Sequence, residues 1–147
     1  SRTWSVVSQL KEVAPKMTCL DMQTTDLDAE KTKRQVSAWL DEFGDRLKGI
    51  VSADDSKAQI GIVEALKEAD RDDIVCISAG SSGTGLDFIK QGRLHAITYQ
   101  SAEADGALPI EIAARWFRGE TIDRPIYYLR KIIITRENVD DFCPPQW

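Results

Sequence analysis

Residues 73–100 read DIVCISAGSSGTGLDFIKQGRLHAITYQ, and this stretch decides the fold. The apolar run 73–80 predicts a strand, and a loop rich in glycine and serine follows it. A short helical pattern then ends at Gly92, and the run 94–100 predicts a second strand. A helix between two strands is typical of a βαβ unit, because parallel strands need a crossover connection.

The glycine-rich loop lacks the spacing of a phosphate-binding loop. Gly80, Gly83 and Gly85 read G-x-x-G-x-G, the reverse of the dinucleotide fingerprint, and no Lys-Ser/Thr pair follows as a P-loop requires. Glycine is also the residue of turns with positive φ. The sequence therefore argues against a nucleotide site. It leaves a ligand-facing loop at a strand end, or a plain turn, as the alternatives.

Helical and strand patterns alternate along the rest of the chain. Helices are predicted within residues 4–14, 24–44, 57–69 and 106–119, and strands within 17–22, 47–55 and 126–135. Asp26 or Asp28 is the expected N-cap of the second helix, and Gly44 is its expected stop. This alternation predicts an α/β fold with a parallel, doubly wound sheet and helices on both faces, in three αβα layers. Ligands bind such sheets outside the carboxyl ends of the strands.

The composition argues against several classes of function. Charged residues make up 29% of the 147 residues and the net charge is −5, so we expect no basic surface for nucleic acid. The chain has one histidine and three cysteines without C-x-x-C spacing, so we predict no metal site. The pattern also offers no cofactor fingerprint and no nucleophile–base pair, and we therefore expect no enzyme.

Some large or reactive side chains are expected to be buried. Cys19 and Cys76 lie inside apolar runs, which is typical of packing residues. Trp39 and Trp116 have apolar neighbours at helical spacing, and this favours core packing over stacking on a carbohydrate.

Four motifs in order carry a resemblance to a known family. They are GIVSADD at 49–55, IVCISAG at 74–80, IKQGRLHAITYQ at 89–100 and ITRENVDDF at 134–142. Together they resemble the C-terminal half of periplasmic sugar-binding proteins, the ribose-binding-like solute receptors of ABC transporters. The closing PPQW is similar to the tail of one bacterial subgroup.

The resemblance implies a protein of two α/β lobes that binds a small sugar between them and presents it to a membrane permease. Such a receptor is expected in the periplasm or outside the cell, with a lipoprotein anchor as a further expectation for the full-length protein. Two other classes stay open at this point. A lac-repressor-type regulator carries the same two-lobed sensor, although the PPQW tail favours the transport receptor. An enzyme on a doubly wound sheet is the third class.

The resemblance also implies an organisation of the chain. Residues 1–100 resemble the C-terminal lobe of the type I periplasmic-binding-protein fold, 101–135 the segment that returns to the N-terminal lobe, and 136–147 the tail. The first strand of the lobe is expected to be missing, so we interpret the chain as a fragment. In the family's strand order 2-1-3-4-5 that strand is central. Its neighbours are expected to pair with each other or, as we favour, with a second copy.

Five ligand-binding side chains follow from the resemblance alone: Arg2, Asp54, Ser81, Ser82 and Gln100. The Asp54–Asp55 pair has an equally good alternative role as a helix cap. Gly80 departs from the family pattern, because many members carry a sugar-binding aspartate there, and Ser81 or Ser82 is the expected replacement.

Overall fold

The computed structural model describes residues 2–147, apart from the side chain of Arg2. The predicted sugar contact of Arg2 therefore lies outside the described residues. The helices are α1 (Arg2–Val13), α2 (Ala29–Phe43), α3 (Lys57–Glu68), α4 (Gly83–Lys90) and α5 (Ala102–Phe117), with short 3-10 helices at Gly44–Arg46 and Val139–Phe142. The strands are β1 (Gly49–Ser52), β2 (Val75–Ala79), β3 (Ala96–Thr98) and β4 (Ile133–Ile134). None of the described helices is long and apolar enough to cross a membrane.

The four strands form one sheet in the order β1-β2-β3-β4. The first three are parallel, with α3 and α4 as the crossover helices, so the predicted βαβ units are confirmed. β4 is antiparallel to β3 and much shorter than the strand predicted over 126–135. The physical reason is the length of its partner, because β3 ends at Thr98 and the chain then turns into α5.

The buried core lies on one face of the sheet. Ile50, Cys76 and Ile97 alternate with exposed neighbours along their strands, as period-2 strands do, and their side chains point to the same face. The core side chains that α2, α3 and α4 add are Val36, Ile62, Ala65, Leu66, Leu86 and Ile89. Burial of one large aliphatic side chain stabilises the fold by roughly 1.5–3 kcal/mol, so this face holds the domain together.

Helix α2 begins and ends where the sequence predicts. Asp28 is the N-cap, and its side chain accepts a hydrogen bond from the amide of Lys31. Gly44 ends the helix with a φ of +49°. Helices α2 and α3 approach closely at Gly61, where a Cβ atom would lie less than 3.0 Å from the carbonyl of Ala29. The α2–α3 contact therefore needs glycine at this position.

The second helical layer expected from the sequence is not formed by the described part of the chain. Val51, Val75, Ile77 and Ile133 are exposed on the other face of the sheet. Helix α1 precedes the strands in the sequence. Within residues 2–147 it contributes no residue to the buried core. An αβα arrangement of three layers needs helices packed on both faces of the sheet. In the described residues the packed helices lie on one face of the sheet.

Residues 17–22 form no strand, so that prediction is wrong. A strand needs a neighbour to share its backbone hydrogen bonds, and this segment joins none of the four strands. It is held by other contacts, because Leu20 packs against the core and the Trp39 indole donates to Asp21 at 2.7 Å. Cys19 is consequently exposed, whereas Cys76 is buried as predicted.

Helix α5 lies outside this core. Its Trp116 is exposed, contrary to the expected core packing, and Phe117 is 86% exposed. Residues of α5 and of the segment 122–129 line an open groove of about 660 Å³ with mostly apolar walls. The assignment of residues 101–135 to a segment that returns to another lobe stays a prediction.

Candidate functional site

The carboxyl ends of β1, β2 and β3 meet at one edge of the sheet, which we call the strand-end edge. Asp54 and Asp55 follow β1, Ser81 and Ser82 follow β2, and Gln100 follows β3. The Ser82 amide donates to Asp55 Oδ2 at 2.8 Å, and the Ser81 hydroxyl donates to the Gln100 carbonyl at 2.9 Å. The structure therefore brings together four of the five predicted site residues.

Ser56 is the N-cap of α3, and the Asp54 carboxylate, two residues earlier, binds the start of that helix. Its Oδ2 accepts the Ala58 amide at 2.9 Å, and its Oδ1 accepts the Ser56 hydroxyl at 2.7 Å. Both carboxylate oxygens are thus engaged within the protein. The capping alternative is therefore the role that the structure displays, and a sugar contact by Asp54 stays a prediction.

Asp55 is the buried carboxylate of the edge, at 3% exposure. Burial raises the pKa of Asp55 above its ordinary value, and the hydrogen bonds from Ser82 oppose that shift. The sequence analysis placed Asp55 in a pair with Asp54, with ligand binding and helix capping as equal alternatives, and did not predict its contact with the glycine-rich loop. The signal that could have found its role is the pair Gly80 and Gly85, which leave room beside it.

The glycine-rich loop wraps around this carboxylate. A Cβ atom at Gly80 or at Gly85 would lie less than 3.0 Å from an Asp55 carboxylate oxygen. Gly80 also has a φ of +143°, a backbone conformation that favours glycine. Two of the three loop glycines are therefore needed for the fit to Asp55, which accounts for a glycine-rich loop without a phosphate.

The two serines use their hydroxyls inside the protein. Ser81 is buried. Its Oγ accepts a hydrogen bond from the backbone amide of Gln100 at 3.3 Å and also donates one to the backbone carbonyl of Gln100. Ser82 is the N-cap of α4, because its Oγ accepts the Gly85 amide at 3.1 Å. Ser81 thus ties the end of β2 to the end of β3. A sugar contact by either serine stays a prediction.

Gln100 is half-buried at the point where β3 passes toward α5. Its side-chain amide donates to Asp105 Oδ2 at 2.5 Å. Its backbone carbonyl accepts a hydrogen bond from the Trp147 indole at 2.6 Å. The backbone of Gln100 is therefore held by Ser81 and by the C-terminal tail, while its side chain lies against the first turn of α5.

The strand-end edge offers carboxylates, hydroxyls and an amide, which are groups that hydrogen-bond well to hydroxyl-bearing ligands. Within the described residues, no group of three His, Cys, Asp or Glu side chains could hold a metal ion. The three parallel strands and the polar strand-end edge make this an α/β lobe whose candidate ligand site is that edge, since ligands of such sheets bind outside the carboxyl ends of the strands.

Comparison with known proteins shows the family. The model of the family described as periplasmic binding protein domain matches residues 1–121, and the chain belongs to that family. The chain is 24% identical over 135 residues to the xylitol-binding protein of Mycolicibacterium smegmatis (strain ATCC 700084 / mc(2)155), which covers 91% of this chain and 38% of that protein.

Solved structures show the same fold. AraP, an arabinose-binding protein from Geobacillus stearothermophilus, matches 95% of this chain and 50% of its own with a TM-score of 0.79 and 21% identity. An ABC transporter solute-binding protein from Agrobacterium vitis, bound with alpha-D-tagatopyranose, matches 94% of this chain and 45% of its own with a TM-score of 0.79 and 22% identity.

These likenesses confirm the predicted α/β fold with a parallel strand arrangement and the resemblance to sugar receptors of ABC transporters. The chain spans 38% of the curated relative and about half of the solved structures.

Proposed function

We propose that this chain is the C-terminal lobe, with its returning segment and tail, of the substrate-binding component of an ABC-type sugar transporter. The protein would bind a small sugar or polyol between two lobes and carry out no reaction. The observation that carries the proposal is the strand-end edge, where hydrogen bonds join the residues that follow three strands. The names of the relatives refer to xylitol, arabinose and tagatose, and this supports a polyhydroxyl ligand.

The proposed ligand contacts are Arg2, Asp54, Gln100 and the Ser81–Ser82 pair. A sugar hydroxyl can donate to a carboxylate oxygen that already accepts one hydrogen bond, because each oxygen has two lone pairs. The caps that Asp54 makes are therefore compatible with a ligand contact at the same carboxylate. The Gln100 amide can donate and accept at once, which suits a ligand with several hydroxyls.

The proposed partners are the permease of an ABC transporter and an N-terminal lobe of the same protein. The groove beside α5 supports a lobe contact, because the exposed Trp116 and Phe117 are large apolar side chains without core packing. Periplasmic or extracellular location, with a lipoprotein anchor as a further step, follows from the same proposal. The relatives reported above are solute-binding proteins, which favours the receptor over the repressor alternative.

Calorimetric titration tests the function in the two-lobed protein that the proposal requires, with this chain as its second half. The ligands are xylitol, L-arabinose and D-tagatose, which correspond to the names of the relatives reported above. We expect one or more to bind with the two lobes joined and to bind feebly or not at all to the 147-residue chain alone. Failure of the whole panel contradicts a receptor for small sugars, and tight binding by the single chain contradicts the two-lobed arrangement.

The site assignment is tested with Asp54→Asn and Gln100→Ala. Asparagine keeps an oxygen for the helix cap but removes the charge, so Asp54→Asn separates binding from folding. Each lost partner of a buried hydroxyl should weaken binding by about 1–3 kcal/mol. The control is Gln91→Ala, an exposed glutamine after α4 at the opposite end of the sheet. Unchanged affinity in both site variants contradicts the assignment.

A further inference from the structure

One glutamine oxygen of the C-terminal tail accepts three hydrogen bonds at the strand-end edge. Gln146 Oε1 accepts hydrogen bonds from the Tyr99 hydroxyl at 3.3 Å, the Ser101 hydroxyl at 3.1 Å and the Ala102 amide at 2.9 Å. These three donors lie immediately before and after Gln100 in the chain. One side chain of the tail therefore brackets a predicted ligand contact.

The neighbours of Gln146 in the tail extend the same contact. The Trp147 indole donates to the Gln100 carbonyl at 2.6 Å, and Pro145 lies against Gly83 at the start of α4. The tail thus touches the loops that follow β2 and β3, the same loops that Ser81 joins.

The base of the tail is fixed to the domain. Val139 is buried in the core, the Phe142 ring packs on Tyr99 with centroids 4.9 Å apart, and Lys90 pairs with Asp140 at 2.8 Å. The tail residues after Phe142 therefore leave a well-anchored point and reach the edge over a short distance. Such an anchor is what a hydrogen-bonding side chain needs in order to orient its partners.

The Ser101 hydroxyl explains how the contact would act on α5. Ser101 is the N-cap of α5, because its Oγ accepts the Ala104 amide at 3.1 Å. When the same hydroxyl donates its hydrogen to Gln146, its lone pairs stay directed at the helix. Gln146 thus favours the capping geometry and holds the chain where it turns from β3 into α5.

We propose that Gln146 is a positioning residue for the ligand site. By binding the residues on both sides of Gln100, it sets the direction in which α5 leaves the sheet and the orientation of the Gln100 side chain. This inference rests on the proposed function and adds a residue to the same site. Gln146 touches Tyr99, Ser101 and Ala102 and acts on the ligand through Gln100.

The test compares Gln146→Met with Gln146→Glu in the two-lobed protein. Methionine has nearly the same length but no oxygen acceptor, whereas glutamate keeps one. In Gln146→Met we expect the Ala102 amide to exchange about tenfold faster, the side-chain amide resonances of Gln100 to shift, and affinity for xylitol or L-arabinose to fall about tenfold. In Gln146→Glu we expect the Ala102 exchange rate, the Gln100 resonances and the sugar affinity to stay close to those of the unsubstituted protein. Gln146 is exposed, so the melting temperature should change little in either variant.

The exchange and resonance measurements need no ligand and therefore judge this inference separately from the function. If neither sugar binds the unsubstituted protein, the proposed function fails, and the Ala102 exchange and Gln100 resonances alone decide the role of Gln146. Unchanged exchange in Gln146→Met overturns the inference. Faster exchange with an unchanged affinity also overturns it, because Gln146 would then hold the tail without positioning the site.

Discussion

The Asp55 carboxylate occupies the space that a side chain at Gly80 would need. A Cβ atom at Gly80 would lie less than 3.0 Å from Asp55 Oδ1. The two residues follow different strands, so their fit fixes the end of β1 against the end of β2. Gly80 stands where the resemblance predicts a sugar-binding aspartate in many members. The expectation that Ser81 or Ser82 replaces that aspartate stays a prediction.

The fit predicts that a methyl group at Gly85 destabilises the fold through Asp55. Gly85 lies in α4, where alanine is otherwise a better helix former than glycine. A Cβ atom there would collide with Asp55 Oδ2, and such overpacking costs about 1–3 kcal/mol. Urea unfolding of Gly85→Ala measures the loss.

The matched control is Gly106→Ala in α5, where a Cβ atom meets nothing within 4 Å. We expect that variant to be as stable as the unsubstituted chain or slightly more stable. A double variant that adds Asp55→Ala should lose less stability than the sum of the single variants, because the collision is gone. Additive effects would contradict a contact between Gly85 and Asp55.

The raised pKa of Asp55 predicts a pH-dependent effect of Asp55→Asn. Burial raises the folded-state pKa above the ordinary 3.8, so the folded protein binds this proton more tightly than the unfolded chain does. Protonation of Asp55 stabilises the folded state fully below pH 3.8. This stabilisation is lost as the pH rises through the raised pKa of Asp55 in the folded protein. Asparagine stays neutral and keeps an oxygen for the Ser82 amide.

Asp55→Asn should therefore be more stable than the unsubstituted chain at neutral pH, and the difference should shrink on acidification. Unfolding curves between about pH 3 and pH 8 measure this linkage. Asp87→Asn is the control, since Asp87 is an exposed carboxylate on α4, whereas the charge of Asp54 itself contributes to the raised pKa of Asp55. A stability difference that grows toward low pH would contradict the predicted direction.

Much of this fold could be predicted from the sequence because its signals are local. The β2–α4–β3 unit follows from short apolar runs and a glycine stop, and the Asp28 cap from its place before a helical pattern. The segment 17–22 has the composition of a strand, but a strand also needs a partner, and no local signal supplies one. The predicted core packing of Trp116 is wrong for the same reason. The apolar spacing around Trp116 indicates an apolar face of the helix but not which element packs on that face.

The location of the candidate site residues at the strand ends could be predicted better than the contacts of their side chains. The strand-end edge brings Ser81 and Gln100 together as the alternation of strands and helices implies. Whether a hydroxyl faces the ligand or the protein depends on distances of a few ångströms between loops. The contact of Asp55 with Ser82 and the role of Gln146 were not predicted, because each joins residues that lie far apart in the sequence.

Gln59 is expected to weaken the fold. It is fully buried on α3, and neither its Nε2 nor its Oε1 has a hydrogen-bond partner among the residues that the structure describes. An unsatisfied buried amide costs about 1–3 kcal/mol, so Gln59→Met should raise the free energy of unfolding by a similar amount. Denaturant unfolding measures it, with the exposed Gln91→Met as the control. A loss of stability in Gln59→Met alone would show that the amide stabilises the core.

The exposed face and edge of the sheet predict that the 147-residue chain associates with itself. β1 is the first strand of the sheet, with its outer edge unpaired among residues 2–147, and Val51 on it is 46% exposed beside Ile77. Unpaired edges next to an apolar face favour pairing with another chain, and a lysine there opposes it. Val51→Lys should therefore lower the association measured by sedimentation velocity at micromolar concentration. Val13→Lys, which replaces an equally apolar side chain on α1, should leave it unchanged, and a monomeric unsubstituted chain would contradict the prediction.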